Sequence, residues 1–222
     1  LKSGEFSEES IFTLKYDWKL LNQGGIVDRT ISGWEDSVMK IGDIDNYYDL
    51  DLIYGSSTRN NHTEVYKYDG KRLIRENNNN ISLRTITDID IGDINSDGFS
   101  DVVMNSFNGD NVLYAYFGNE NGGMNSVYID NGLHNGKVKI IDMNNDGKSE
   151  VVLIGLTADN TSGKPKIFIY ELTDNNQFEK VDVSDQIDDL TGASYDLGDV
   201  DNDQDIDIII SGFDESQGLR SY

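Results

Sequence analysis

The chain has 222 residues, 36% hydrophobic and 27% charged, with 41 Asp+Glu against 18 Lys+Arg, a formal charge of -23, and no cysteine. That length suits one large domain spanning residues 1–222 with a sizeable core; the acidity excludes a phosphate-backbone partner, so no nucleic acid is expected; the missing thiols exclude disulfides, thiol catalysis and thiolate metal sites. No apolar run reaches the ~20 residues of a membrane helix, Val151–Leu156 (VVLIGL) being about the longest, so no membrane insertion is expected. High net charge is also a mark of disorder, but 12 Tyr, 8 Phe and 2 Trp argue for a packed chain.

In chain order, IFTLKYD (11–17) and KLLNQGGIV (19–27) read as a pair of strands. SVMKIG (37–42) leads into an acidic loop, LDLIYG (50–55) leads out of it, and VYKY (65–68) and KRLIR (71–75) follow as a hairpin around Asp69-Gly70. Asn77–Asn80 connects to the next unit, where the pattern repeats: TITDIDIG (85–92), an acidic loop, DVVMNS (101–106), VLYAYF (112–117) and MNSVYI (124–129). The third unit runs KVKII (137–141), loop, EVVLIG (150–155), KIFIYEL (166–172) and QFEKVDV (177–183). The fourth has SYDLG (194–198), loop and IDIIISG (206–212), then the stub LRSY (219–222), which matches the start of a third strand. No stretch carries a convincing helical period.

The acidic segments are one motif in four copies: GDIDNYYDLDLIYGS from Gly42, GDINSDGFSDVVMNS from Gly92, IDMNNDGKSEVVLIG from Ile141 and GDVDNDQDIDIIISG from Gly198. Their first acids are 50, 49 and 57 residues apart, a period that suits propeller blades of four short strands, here a to d, with the loop between a and b. The expected fold is therefore all-β: a β-propeller with three full blades and two partial ones. Either the N-terminal pair of strands completes the last blade and closes a four-bladed ring, or the chain is part of a larger ring of a longer parent protein. The stub LRSY would duplicate a strand in the closed ring, which favours the larger one.

Numbered from the first acid, the loops (43–51, 93–101, 142–150 and 199–207) carry oxygen side chains at alternate positions. Position 1 is Asp43, Asp93, Asp142 and Asp199; position 3 is Asp45, Asn95, Asn144 and Asp201. Position 5 is Tyr47, Asp97, Asp146 and Asp203; position 9 is Asp51, Asp101, Glu150 and Asp207. Gly98 and Gly147 stand at position 6. Alternating oxygens, a glycine and a later carboxylate build a cage for a hard cation, and the absence of His and Cys points to Ca²⁺. The loops hold 15 of the 41 acids in 36 residues, more than twice their share, and such crowding repels itself without a counter-ion.

These residues resemble the FG-GAP/VCBS family of calcium-binding propeller repeats, found in integrin α heads and in secreted bacterial proteins, over residues 34–218. The resemblance implies a propeller, commonly seven-bladed, with three to four Ca²⁺ ions in the a–b loops. It implies ligands at positions 1, 3, 5 and 9, plus the main-chain carbonyl at position 7, which is Phe99 in the second copy, Lys148 in the third and Asp205 in the fourth. The first copy departs from the frame: Tyr47 and Tyr48 replace the acid and the glycine, and Asp49 would substitute only from a distorted loop. Gln204 replaces the glycine in the fourth, where Asp205 adds a fifth acid. Occupancy is expected to fall from the fourth loop, through the second and third, to the first.

His62 and His134 sit in Asn/Gly-rich contexts and read as loop residues. The c strands repeat aromatics, Tyr66 and Tyr68, Tyr114 and Tyr116, Phe168 and Tyr170, which suit packing between blades better than a sugar-stacking surface. The expected function is a non-enzymatic, calcium-stabilised binding or adhesion module at the cell surface or outside the cell, offering loops to a protein or carbohydrate ligand. The alternatives are the accessory propeller of a secreted polysaccharide lyase or phospholipase, and a spacer in a large surface or toxin-like protein.

Overall fold

A computed structural model describes residues 37–56, 63–68, 73–76, 81, 85–107, 111–157, 165–187, 190–214 and 218–221. The strand pair expected at 11–17 and 19–27, the turn Asp69-Gly70, the connection Asn77–Asn80 and His62 lie outside the described residues. Within them the chain forms antiparallel sheets in strict sequence order, three of four strands and one of three. The first sheet holds β1 (Ser37–Gly42), β2 (Asp51–Ser56), β3 (Glu64–Tyr68) and β4 (Leu73–Glu76); the second, β5 (Ile86–Gly92), β6 (Asp101–Ser106), β7 (Val112–Gly118) and β8 (Met124–Asn131). The third holds β9 (His134–Ile141), β10 (Glu150–Leu156), β11 (Lys166–Leu172) and β12 (Phe178–Asp182); the last, β13 (Thr191–Gly198), β14 (Asp207–Asp214) and β15 (Gly218–Ser221). One short 3₁₀ turn, Ser184–Gln186, is the only helical element among the described residues.

Register explains why the four loops are alike. In each sheet the last loop acid pairs directly across from the residue before the first acid: Asp51 with Gly42, Asp101 with Gly92, Glu150 with Ile141, Asp207 with Gly198. The loop is thus clamped at both ends by the same ladder rung. The stub that reads as a third strand is β15, which pairs with the far end of β14, from Ser211↔Ser221 to Asp214↔Gly218.

Two strands begin earlier than their alternation suggests, β9 at His134 rather than Lys137 and β13 at Thr191 rather than Ser194. For β9 the cause is Asn105, fully buried on β6 after the apolar Val102–Met104. Its amide accepts from Leu133 N–H (3.0 Å), donates to Leu133 C=O (2.8 Å) and donates to Thr87 Oγ1, so the start of β9 is pinned against β6 through a bulge in which Asn135 takes a positive φ (52°).

Successive sheets pack face to face. Ile44, Ile53 and Val65 of the first meet Ile86, Ile89 and Met104 of the second; Ile94, Val103 and Leu113 meet Val138, Val151 and Leu153 of the third. Val152, Ile154 and Ile167 then meet Ile210, with Tyr195 and Leu197, of the fourth. Of the c-strand aromatics, Tyr116, Phe168 and Tyr170 belong to these seams, and the Tyr170 hydroxyl donates to Asp130 of the second sheet (2.9 Å); Tyr66 is buried with its hydroxyl on Glu64 of its own strand (2.7 Å). Buried rings of this kind offer no stacking platform to a sugar.

Candidate metal centre

The four loops have one backbone. Position 4 takes a positive φ in every copy, at Asn46 (63°), Ser96 (58°), Asn145 (57°) and Asn202 (67°). So does position 6, at Tyr48 (63°), Gly98 (87°), Gly147 (87°) and Gln204 (84°). The first loop is therefore not distorted by losing its glycine; Tyr48 adopts the left-handed conformation at a cost of roughly 1–2 kcal/mol. Its side chain, and that of Tyr47, point into solvent.

Side chains reproduce the frame as well. The position 1 carboxylate accepts from the position 6 N–H at 2.9 Å in the first three loops and 3.1 Å in the fourth. The position 3 oxygen accepts from the position 5 N–H at 2.9–3.3 Å. The position 9 carboxylate reaches back to the position 2 N–H: Asp51 to Ile44 (3.1 Å), Asp101 to Ile94 (2.8 Å), Glu150 to Met143 (2.8 Å), Asp207 to Val200 (2.9 Å). In the last three loops the position 5 acid accepts from position 7, that is from Phe99, Lys148 and Asp205 (2.8–3.0 Å). Each loop is a closed set of Asx turns, and in the first and fourth it points three carboxylates at one small volume.

Convergence is tightest in the first and fourth loops. One carboxylate oxygen each from Asp43, Asp45 and Asp51, and one each from Asp199, Asp201 and Asp207, lie within 4.8 Å of one another. The second and third loops have Asn in place of the middle acid, and Asn95 donates its amide to Asp97 (2.9 Å). Among the described residues, three buried carboxylate oxygens lack a hydrogen-bond partner, and all three stand in these loops: Asp43 Oδ1, Asp49 Oδ1 and Glu150 Oε1. A buried oxygen without a donor costs free energy that a cation would recover. Asp49 buries one carboxylate oxygen but is not in the converging set of Asp43, Asp45 and Asp51.

Burial and mutual repulsion raise Asp51, Asp101 and Glu150, the position 9 acids of the first three loops. Asp101 is pushed up to about 6, chiefly by burial and further by the charges of Asp97 and Asp93. Asp51 is raised by burial, with Asp45 and Asp49 adding; Glu150 by burial, with Asp146, Asp142 and Glu171 adding. In the exposed fourth loop, Asp201 is raised first by the charge of Asp203, then by lesser contributions that include Asp207 and Asp199.

Two residues that shape the loops carry no motif. Lys67 on β3 brings its ammonium to 3.3 Å from Asp45 Oδ2 and 3.9 Å from Glu76, so the first loop has a cation of its own. The matching c-strand residues, one past Tyr116 and Tyr170 in register, are Phe117 and Glu171. Aligning the repeats on those tyrosines is the sequence signal that exposes the difference. The loops lie side by side along one edge: Ser96 donates to Gly147 C=O (3.3 Å) and Ile206 N–H donates to Met143 C=O (2.9 Å). His134, expected in a loop, opens β9 half-buried and meets Phe107 edge to face at 4.9 Å. No protein-family model matches the chain, and no curated protein matches it.

Proposed function

We propose that the four acidic loops hold three to four calcium ions. On this reading the chain is a calcium-stabilised, non-enzymatic binding or adhesion module of FG-GAP/VCBS type, its sheets the blades of a β-propeller belonging to a larger ring. The observation that carries the metal reading is the set of partnerless buried oxygens on Asp43, Asp49 and Glu150, set among carboxylates that repel one another. An all-oxygen donor set suits calcium, and loops of this build fill at the ~0.1–1 mM typical of extracellular modules, which supports a site outside the cell or on its surface. The bound ion would sit among these acids and neutralise their repulsion.

The binding role draws support from the first loop. Tyr47, Tyr48 and Leu50 are three exposed large side chains within one nine-residue turn, and Tyr48 stays there in spite of its backbone strain. Exposed aromatics on a strained turn support a role for this loop as a contact surface for a protein or carbohydrate ligand. Thermal melting with calcium and with EDTA tests the metal reading: saturation a hundredfold above Kd is expected to stabilise by about 2.7 kcal/mol per site. An unchanged midpoint would overturn it.

A further inference from the structure

The four loops are not equally joined to one another. The Gly147–Lys148 peptide of the third loop is held on both sides: its C=O accepts from Ser96 Oγ of the second loop (3.3 Å), and its N–H donates to Asp146 Oδ1 (2.8 Å). Met143 makes the link to the fourth loop: its C=O accepts from Ile206 N–H (2.9 Å), while its N–H donates to Glu150 Oε2 (2.8 Å). Ser96 stands between Asn95 and Asp97, and Ile206 between Asp205 and Asp207, so each link ends beside an acid of the neighbouring loop. The first loop stands apart. Among the described residues no hydrogen bond joins it to the second. Asn46, in the place of Ser96, leaves its buried Nδ2 without a partner, and Lys67 sits on Asp45.

The third loop also has the plainest need of a cation. Glu150 is 4% exposed, and its Oε1 has no hydrogen-bond partner while the charges of Asp146 and Asp142 bear on it. Repulsion among these acids works against the closed loop, and any opening withdraws the Gly147 and Met143 carbonyls from the neighbours they hold. Neutralising the third loop therefore keeps both links made.

We propose that the second, third and fourth loops bind calcium cooperatively, with the third as the hub and Ser96 as its link to the second, while the first fills independently. The inference rests on the calcium reading above and adds which loops act together. Coupling of this kind is reciprocal: a filled second or fourth loop tightens the third by the same factor. Direct repulsion between bound cations opposes it, but that acts through solvent along an exposed edge and is screened by salt, whereas the hydrogen bonds are not.

Nuclear magnetic resonance can follow a calcium titration loop by loop, because the position 6 amides of Tyr48, Gly98, Gly147 and Gln204 each report one loop. The titration is run in about 0.5 M potassium chloride, where the Debye length is roughly 4 Å. Glu150→Gln removes a charge from the third loop while keeping the side chain's size. It is expected to weaken calcium binding read at Gly98 and Gln204 by about threefold and to leave Tyr48 unchanged. In a Ser96→Ala background the same substitution is expected to leave Gly98 unchanged and still to weaken Gln204. If no loop amide responds to calcium, the calcium reading falls and this inference with it. If the amides respond but Glu150→Gln leaves the Gly98 and Gln204 midpoints in place, or weakens Gly98 equally with and without Ser96, the coupling alone is overturned.

Discussion

The first and second acidic loops share a backbone and differ in how their charge is balanced. In the second, Asp97 is held by Phe99 N–H and by the Asn95 amide, and Gly98 takes its positive φ without strain. In the first, Tyr47 and Tyr48 replace the acid and the glycine, Asp49 buries a carboxylate oxygen without a partner, and the Lys67 ammonium sits on Asp45. The same turn therefore tolerates two charge arrangements. The constant parts are the position 1 and position 9 carboxylates, which tie the loop to its own backbone in both.

The largest effect is expected where the loop joins the sheet. Asp101 is fully buried and accepts from Ile94 N–H and, with its other oxygen, from Gly118 N–H (2.9 Å). Asp101→Ala leaves both donors without an acceptor and should cost about 3 kcal/mol by urea denaturation in EDTA. Asp207 in the exposed fourth loop holds Val200 N–H, and Asp207→Ala should cost about 1 kcal/mol. Equal losses would break the distinction between a buried and an exposed loop.

The same carboxyl sets a pH dependence. Because its folded value is raised to about 6, its contribution favours the fold at acidic pH and is lost as pH rises through 6. In EDTA, the wild type should therefore lose stability between pH 4.5 and 7 relative to Asp101→Asn (pH values spanning roughly the interval between the ordinary and the raised carboxyl). Calcium binds the ionised form, so the melting shift it produces should grow over the same interval. A calcium shift that shrinks toward pH 7 would contradict this.

Lys67 sharpens the comparison between first and fourth loops. An ammonium beside Asp45 competes with a divalent cation for the same field, so Lys67→Gln should tighten calcium binding at one site by about tenfold in a calorimetric titration. Asp203→Ala should abolish a tight site, whereas Asp43→Ala should remove a weak one; the reverse pattern would overturn the order of the loops. The smallest effects concern the backbone. A Cβ at Gly98 meets nothing within 4 Å, so Gly98→Ala should destabilise through conformation alone, by about 1 kcal/mol. Tyr48→Gly should stabilise by a similar amount, read as opposite shifts in urea midpoint.

Much of this protein is legible residue by residue. Alternating strands, Asp/Asn turns and the fourfold frame act over a few neighbours, so the strand sequence, the loop positions and the order of strands within each sheet follow from the chain itself. The positive φ at Gly98 and Gly147 is legible for the same reason, because glycine at the sixth position announces the turn. Tyr48 and Gln204 adopt it without that signal, since the ladder rung closing each loop and the carboxylate at its first position impose the conformation from outside.

What only the tertiary structure decided are contacts between residues far apart in sequence. Asn105 reads as one polar interruption in an apolar strand, and becomes a clamp only when Leu133 is folded against it. Lys67 becomes a counter-ion because β3 pairs with β2 in a register that carries it toward Asp45. Burial is a property of what stands opposite, and that depends on which sheet packs next, not on the residue itself.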